Sequence, residues 1–421
     1  MDVKAGYKLT EAGVIPDDWE VMPLSDLCYA ICDGTHYTPH YVPQGVPFYS
    51  VENVTANDFS NTKYISEREH ALLSKRCKPE NGDILLTRIG SLGDTRLIDW
   101  DVNASIYVSL ALLKLNKQVS PEYFYRYSQS KMFVAAVEKR SLLNATPKKI
   151  NMGEIGAIPI PVPKSSKEQQ AIAEALTNAD ALIESLEQLI AKKRQIKQGA
   201  RQELLTGKRR LPGFSGAWQQ TTVAEVIKNF FCGPSPTCEE RNIFDETEWG
   251  VLKTTAITWE NGWDWTKHKV LPKSFWNKSE LEVRIGDVIV TKAGPRHRVG
   301  VSTWVDYIPK QIMVSGKMIG LRPNLDKVVP MMLAAAIADK DPQMFLDQRT
   351  TGMAESQVNF ENGVLLKCPI QIPPLKEQNA IATILNDMDT EITALEEKLC
   401  KARHIKQGMT QELLTGRIRL I

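Results

Sequence analysis

The sequence predicts an α+β protein in which two mixed globular domains are separated by two long helices, in a pseudo-twofold internal repeat. The main observation is a duplicated helical segment, since residues 167–211 align without a gap to residues 376–420 with 25 identities in 45 positions. The intervening segments hold short β-prone runs and Gly/Pro turns. In addition, 421 residues exceed the ~250–300 at which single cores stop growing. The repeat therefore indicates helical scaffold between divergent domains.

Both helices have recognisable start and stop signals. Ser165 and Glu168 fit a capping box, in which the serine caps the first helix and the glutamate reaches back to the cap. Gly207 follows as a C′ glycine. The second helix comes after Pro373 and Pro374, which cannot continue a helix, and ends before Gly416.

Apolar residues recur along both helices at alternating steps of four and three, which is the a/d pattern of a coiled coil. Such a seam is too narrow for a globular core, so each helix needs a partner, and antiparallel pairing of the two copies is the most economical arrangement. The predicted seam residues are Leu176, Ala179, Ile183, Leu186 and Ile190, and Leu385, Met388, Ile392, Leu395 and Leu399. Gly199 and Gly408, at equivalent helical sites, suggest close backbone approach or a hinge, with chance survival of the duplication as the alternative.

The globular domains themselves share faint parallels. The run GDILLTR at 82–88 matches GDVIVTK at 286–292, and Trp19 and Trp218 open the two domains. The repeat also looks circular, because residues 7–19 would complete the linker that the last residues begin, so the two termini are expected to lie close together. The predicted divisions are 1–157 (first globular domain with an N-terminal arm), 158–211 (first helical region), 212–366 (second globular domain) and 367–421 (second helical region).

Charge and hydropathy limit the possible functions. The net charge is only +2, so any binding to nucleic acid must use local patches or the charge of a partner. No apolar run approaches the ~20 residues that span a membrane, and the first residues lack the apolar stretch of a signal peptide. We therefore expect a cytoplasmic protein without a membrane partner.

The cysteines are odd in number and form no C-x-x-C pair, which predicts that all seven are reduced thiols. Cys28, Cys32, His36 and His40 are spaced four apart, as metal ligands on a helix would be. Because residues 33–35 and Pro39 would break that helix, the sequence predicts no metal site.

The chain resembles the specificity (S, HsdS) subunits of type I restriction-modification systems over essentially its whole length. The helical signature I-P-x-P…K-E-Q…Q-E-L-L-T-G occurs at 160–163, 167–169 and 202–207. The second copy, I-P-P-L-K-E-Q at 372–378 with Q-E-L-L-T-G at 411–416, is nearer the family's usual form. In the first domain the segments 33–39, 45–53 and 82–93 are also similar to the family. The second domain matches more loosely.

This resemblance implies two target-recognition domains, each reading one half of a split double-stranded DNA target. The two helices would form an antiparallel coiled coil that sets the spacing and docks two methyltransferase (M) subunits, and restriction-translocase (R) subunits would join through the complex. Such a chain is not an enzyme and needs no cofactor. In agreement, the sequence carries neither a G-x-G-x-x-G loop after a strand, nor a phosphate-binding P-loop, nor an Asn-Pro-Pro-aromatic tetrapeptide.

Candidate DNA contacts are polar and basic residues on loops, which can reach base edges or phosphates. They are Thr35, His36, Tyr37, Arg88, Ser91, Arg96, Thr146, Lys148 and Lys149 in the first domain, and Lys292, Arg296, His297, Arg298, Arg349 and Thr351 in the second. Each has a structural alternative, since a basic residue after a buried strand can simply solubilise a rim. The tryptophans at 249–265 are predicted core residues, with a base wedge as the alternative.

Two other classes of function stay open at this point. A stand-alone DNA methyltransferase or nuclease with an unrecognised site would bind S-adenosylmethionine or cleave DNA by itself. A structural coiled-coil adaptor would give no reason for basic loops to recur at matching places in both domains.

Overall fold

The computed structural model describes residues 4–142, 144–245, 247–259, 262–309 and 311–420. It divides the chain into two compact units: unit 1 is Met1–Gln188 with Glu396–Ile421, and unit 2 is Leu189–Leu395. Each unit combines one globular domain with parts of both long helices. The four predicted divisions, which separate helices from domains, stay a prediction. Among the helices in the described ranges, none is long and apolar enough to cross a membrane.

Unit 1 is a mixed domain followed by the start of a long helix. Its strands are β1 (Tyr7–Thr10), β2 (Gly13–Pro16), β3 (Trp19–Pro23), β4 (Cys28–Asp33), β5 (Tyr41–Val42), β6 (Val46–Tyr49), β7 (Lys63–Ile65), β8 (Ile84–Thr87), β9 (Thr95–Leu97), β10 (Ser105–Ile106), β11 (Leu110–Leu115) and β12 (Pro159–Pro163). Its helices are α1 (Val51–Ala56), α2 (Glu67–Leu73), α3 (Pro121–Ser128), α4 (Lys131–Arg140), α5 (Met152–Gly156) and the first half of α6 (Ser166–Leu204).

The central sheet of unit 1 has the order β4-β11-β8-β9 and is antiparallel throughout. Strand β8 is buried along its whole length. Its alternate side chains point to opposite faces of the sheet, and a core covers each face. Ile84 and Leu86 enter the core that Trp19 and Phe124 share, whereas Leu85 enters a second core on the other face. A further sheet, β10-β6-β7-β5, lies beside this second core.

Unit 2 repeats this plan with shorter strands. Its strands are β13 (Gln219–Thr222), β14 (Ile227–Phe231), β15 (Gly250–Leu252), β16 (Ile257–Thr258), β17 (Gly262–Trp263), β18 (His268–Val270), β19 (Val288–Thr291), β20 (Ala293–Gly294), β21 (Ser302–Trp304), β22 (Ile312–Met313), β23 (Met318–Pro323), β24 (Thr351–Ala354), β25 (Gln357–Asn359) and β26 (Pro369–Ile372). Its helices are α7 (Val223–Val226), α8 (Pro330–Ala338), α9 (Lys340–Asp347), α10 (Asn362–Leu366) and the first half of α11 (Leu375–Leu413).

The central sheet of unit 2 has the order β14-β23-β19-β21, which matches the order in unit 1 strand for strand. Both units also have a buried aspartate immediately before one strand of this sheet. In unit 1, Asp83 before β8 accepts a hydrogen bond from Lys114 at 2.6 Å. In unit 2, Asp287 before β19 lies 3.6 Å from Arg322. The dipeptide Gly-Asp in both domains therefore marks a turn, and its buried carboxylate is paired with a cation on the neighbouring strand, β11 in unit 1 and β23 in unit 2.

The long helices pair antiparallel within each unit. In unit 1, Asp180 pairs with Lys406 and Glu187 pairs with Arg403, so the partner's number falls as the number in α6 rises. Unit 2 has the same order, since Lys193 pairs with Glu391 and Lys197 pairs with Asp389. The predicted antiparallel coiled coil is confirmed. Every predicted seam residue is buried or half-buried.

Gly199 and Gly408 were expected to allow close backbone approach. Both are exposed, and a Cβ atom added at either position would meet nothing within 4 Å. The close-approach interpretation is therefore wrong.

The predicted C′ glycines do adopt the left-handed conformation, with φ of 69° at Gly207 and 68° at Gly416. Gly416 also lies against Pro16, which leaves no room for a side chain.

A buried glutamate begins each long helix. Glu168 is 1% exposed and accepts hydrogen bonds from Arg419 at 2.5 and 2.8 Å. Its equivalent Glu377 is 0% exposed and accepts two at 2.6 Å from Arg210. The predicted capping box is thus half right. Ser165 accepts from the Glu168 backbone at 3.4 Å, but the Glu168 carboxylate binds a distant arginine instead of reaching back.

The glutamine of K-E-Q has an equally specific role. The Gln169 amide oxygen accepts from the Ser120 backbone N–H at 2.8 Å, immediately before α3. Gln378 accepts in the same way from the Val329 N–H at 2.8 Å, immediately before α8. The K-E-Q signature therefore ties each long helix to a short helix of its own domain.

The N-terminal arm lies against the last residues of the chain in unit 1. The Tyr7 hydroxyl donates to the Gly416 carbonyl at 3.0 Å, and Arg419 binds Asp18 at 2.8 and 2.9 Å. The expected proximity of the two terminal segments is confirmed.

Candidate nucleic-acid interface

Loop 33–39, which follows β4, forms one end of the central sheet in unit 1. Thr35 is buried and its hydroxyl contacts the Tyr37 carbonyl at 3.3 Å, so it shapes the loop from inside. His36 and Tyr37 are exposed. Tyr37 is therefore open to an incoming ligand and His36, although exposed, also contacts the Asp33 carboxylate at 2.8 Å, whereas Thr35 supports their backbone.

Arg88, at the end of β8, lies beneath this loop. It is buried and donates to the Asp33 carboxylate at 3.2 Å and to the Val108 carbonyl at 3.0 Å. Val108 in turn donates its backbone N–H to the Thr35 carbonyl at 3.0 Å. These contacts favour an internal role for Arg88, which joins strand β8 to loop 33–39.

The basic segment before the first long helix meets the same sheet end. Ile150 donates its backbone N–H to the Arg88 carbonyl at 3.0 Å, and Gly90 donates to Lys148 at 2.9 Å. Lys148, Lys149 and Thr146 are exposed. Residues that are 60 apart in sequence thus form one surface with a buried arginine behind it.

Arg96 and Ser91 have local partners. Arg96 donates to Asp99 at 3.1 Å and lies over the Trp100 ring at 5.5 Å. Ser91 is exposed and its hydroxyl bonds to Asp94. No described contact connects either residue to loop 33–39, so their DNA contacts stay predictions.

The end of β19 in unit 2 carries Lys292 at the position of Arg88. Its ammonium donates to Asn362 at 3.0 Å and lies 4.0 Å from the Cys232 sulfur. Strand pairing identifies Cys232 as the equivalent of Asp33. In unit 1, Leu112 of β11 pairs with Cys32, the residue before Asp33. In unit 2, the equivalent Gly320 of β23 pairs with Phe231, the residue before Cys232. The two sheet ends therefore share a basic residue and differ in its partner.

The Arg-His-Arg turn of unit 2 is largely occupied by internal partners. Arg296 binds Asp347 at 2.6 Å and Glu355 at 2.8 Å, and these carboxylates hold the pKa of its guanidinium above the ordinary value. Arg298 donates to two backbone carbonyls at 2.7 and 2.8 Å. His297 is exposed, beside the half-exposed Trp259, whose indole donates to its carbonyl at 3.2 Å.

The remaining predicted positions in unit 2 are exposed. Arg349 lies over the Phe345 ring at 3.8 Å, and the Thr351 hydroxyl bonds to Asn359 at 3.1 Å. Trp249 is a core residue, as predicted, and Trp263 and Trp265 are half-buried. The core prediction is wrong for Trp259, which is 51% exposed. Trp265 stacks on His268.

A family model described as the type I restriction modification DNA specificity domain matches residues 16–196 and 254–402. These two ranges make up more than half of the chain. The first includes the whole central sheet of unit 1, the second includes strands β19, β21 and β23 of the central sheet of unit 2, and each includes part of a long helix. The chain belongs to the type I restriction-modification specificity family. The predicted resemblance is confirmed.

Curated relatives carry the same family name. The chain is 31% identical over 201 residues to the type I restriction enzyme EcoEI specificity subunit of Escherichia coli, in an alignment covering 47% of this chain and 34% of that protein. It is 24% identical over 438 residues to the type I restriction enzyme MjaVIII specificity subunit of Methanocaldococcus jannaschii, covering 96% and 94% of the two chains. The likeness to EcoEI thus spans about a third of that protein, and the likeness to MjaVIII nearly all of it.

Solved structures of the specificity family share the fold. An HsdS subunit from Thermoanaerobacter tengcongensis superposes with a TM-score of 0.54 at 15% identity, over 96% of this chain and 98% of that one. The S subunit from M. genitalium has a TM-score of 0.50 at 15% identity, over 96% and 97%. At this identity the likeness concerns the fold alone.

Two features of this specificity-family chain were not predicted. Asp33, at the start of loop 33–39, forms an ion pair with Arg76, which stands in the basic run 75–78 after α2. Cys32 and Cys77, the neighbours of this pair, form a disulfide with Cα atoms 6.1 Å apart. The expectation of seven reduced thiols is wrong, because distant cysteines can meet without any local signal.

Proposed function

We propose that this chain is the DNA-reading subunit of a type I restriction-modification complex, in which each unit recognises one half of a bipartite double-stranded target. The observation that carries the proposal is the repetition of one sheet end in both units. Each has a basic residue after a buried strand and exposed polar side chains on the adjoining loop. The loops differ between the units, as two different half-sites require.

The paired helices would act as spacer and docking platform. Their starts are fixed to the recognition domains through buried carboxylates and amides, so a helix would carry its domain as a rigid attachment. Two methyltransferase subunits would bind the helical surfaces, and restriction-translocase subunits would join through that complex. A solved chain with the same fold comes from a structure of complex assembly in a type I system. Work on chromosomal DNA would place the complex in the cytoplasm.

The chain would contribute recognition and no chemistry. With a net charge of +2 it cannot bind DNA through bulk electrostatics. The exposed groups Lys148, Lys149 and His297 supply local contacts, and methyltransferase partners would supply further phosphate contacts. A stand-alone methyltransferase or nuclease and a structural adaptor are the alternatives.

Co-purification and footprinting test this proposal. The full chain is produced with its methyltransferase subunits, and DNA protection is measured with the complex and with the chain alone. We expect a stable complex that protects two short stretches of one duplex, and weak, salt-sensitive binding by the chain alone. Tight S-adenosylmethionine binding by the chain alone would favour an enzyme, and a complex that protects no DNA would favour an adaptor.

A further inference from the structure

A buried carboxylate in unit 1 holds three basic side chains beside loop 33–39. The Asp33 side chain is 6% exposed and pairs with Arg76, with Arg88 at 3.2 Å and with His36 at 2.8 Å. Arg88 is internal, whereas the side chains of Arg76 and His36 are 59% and 61% exposed. Asp33 therefore ties two exposed basic groups to the inside of the domain.

The sheet itself does not require this carboxylate. Unit 2 has the same strand order and places Cys232 at the position of Asp33, with Lys292 at the position of Arg88. Its central sheet is buried in the same way, since every residue of β19 is buried. Asp33 is thus one of the residues in which the two units differ. If each unit recognises a different half-site, residues that differ between the units are the ones that set specificity.

Arg76 is exposed at the edge of a cleft, where Asp33 holds one end of its guanidinium. Arg76 lines a cleft of about 330 Å³, together with Thr35, Tyr37 and Leu72. The contact with Asp33 engages one terminal nitrogen of a planar group that has five N–H donors. A side chain locked by a supporting hydrogen bond can present its other donors at a defined angle.

The carboxylate of Asp33 beside Arg76 favours one kind of DNA contact, a base edge, over another, a phosphate. A carboxylate beside an arginine weakens its attraction for an anionic phosphate, so a phosphate anchor gains nothing from Asp33. The O6 and N7 atoms of guanine are neutral acceptors, for which the orientation of the fork decides the strength of the contact. An oriented arginine next to a buried carboxylate therefore fits a base edge better than a phosphate.

We propose that Arg76 reads a guanine in the major groove of the half-site bound by unit 1, with Asp33 as its positioning residue. This inference rests on the proposed function and adds a specificity-determining residue to it. Lysine at position 76 would keep the charge and lose the bidentate fork.

Adenine-methylation mapping tests the inference in the intact complex. Wild-type chain, Arg76→Ala, Arg76→Lys and Asp33→Asn are each produced with the methyltransferase subunits in cells without a restriction subunit. Long-read sequencing then gives the methylated motif. Arg68→Ala is the matched control, because Arg68 is an exposed arginine on α2, the helix that ends at Leu73, shortly before Arg76.

The wild-type motif should contain a fixed guanine that Arg76→Ala relaxes, with discrimination at that position falling about 5- to 150-fold. Arg76→Lys and Asp33→Asn should relax the same position, and the second half-site should not change. Arg68→Ala should leave the motif intact.

An unchanged motif with Arg76→Ala would overturn the inference, and so would an even loss of methylation at all sequences. If the alanine variant gives no complex, Arg76→Lys decides between these outcomes. A wild-type complex without sequence-specific methylation would instead refute the proposed function.

Discussion

Replacing Arg419 by methionine should destabilise unit 1 strongly, because it removes the cation that neutralises a buried carboxylate. Glu168 is 1% exposed and accepts hydrogen bonds from Arg419 at 2.5 and 2.8 Å, with Trp19 donating a further one at 3.4 Å. Methionine can fill much of the space but donates nothing. Leaving a buried charge without its partner costs about 3–5 kcal/mol. The ion pair of Arg419 with the exposed Asp18 adds less than ~1 kcal/mol.

Calorimetry of the full chain measures this effect. For a unit of this size each kcal/mol corresponds to about 2–4 °C, so the melting temperature of unit 1 should fall by roughly 6–20 °C. Adding Glu168→Gln to Arg419→Met should restore most of the loss, since the buried group is then neutral. Arg210→Met should have the same effect on unit 2, where Glu377 is equally buried.

Arg417→Met is the matched control in the same terminal segment. Arg417 is 56% exposed and lies 3.5 Å from Glu412, so its loss should cost less than ~1 kcal/mol. If Arg419→Met destabilised the protein no more than Arg417→Met, the account of the buried carboxylate as an anchor of the helix would be refuted.

Three further predictions concern stability and redox state. Gly199→Ala and Gly408→Ala should each stabilise the chain by up to ~1 kcal/mol in urea unfolding, because both sites are exposed helix interior; destabilisation would revive the hinge interpretation. Burial raises the pKa of Asp287 to about 6, so the folded protein holds this proton more tightly than the unfolded chain. The unfolding free energy should therefore decrease as the pH rises from about 4 through 6, by up to ~3 kcal/mol, and Asp287→Asn should remove this part of the decrease. An identical pH profile for the variant would contradict the assignment. Alkylation of the unfolded chain should modify the five free cysteines without reductant and all seven after reduction, whereas seven in both cases would exclude the Cys32–Cys77 disulfide.

The helical part of the fold was predictable because its signals are local or repeated. The heptad spacing identified the seam, and the duplication made self-pairing the natural arrangement. Gly207 and Gly416 could be assigned as C′ glycines because a left-handed residue after a helix favours glycine. The terminal proximity followed from the circular order of the repeat.

The partners of charged residues were not predictable from spacing. Glu168 fits a local capping pattern, yet its carboxylate binds Arg419, 251 positions away. Likewise Arg296, in the densest basic turn, pairs with acids more than 50 positions later. Sequence spacing reports neighbours along an element, whereas these pairs depend on tertiary packing.

The sequence indicated loops that lie together at the sheet end, whereas the DNA contacts of the individual side chains stay predictions. Loop 33–39 and the Lys148–Lys149 segment do meet at one sheet end. The Lys148–Lys149 segment is joined to the end of β8 by backbone hydrogen bonds, and loop 33–39 is joined to it by the Arg88 side chain. The position of Arg88 after a strand suits a DNA contact and equally a buried support, and Arg88 is buried. No local pattern marks Arg76, because the acid that it contacts lies 43 positions earlier.

The methylation motif of the wild-type complex tests the central claim most directly. The chain is produced with its methyltransferase subunits, and methylated adenines are mapped across the host genome. Two readers on a helical spacer predict two constant half-sites separated by a gap of constant length without base preference. A single contiguous motif, or methylation without a motif, would contradict the account.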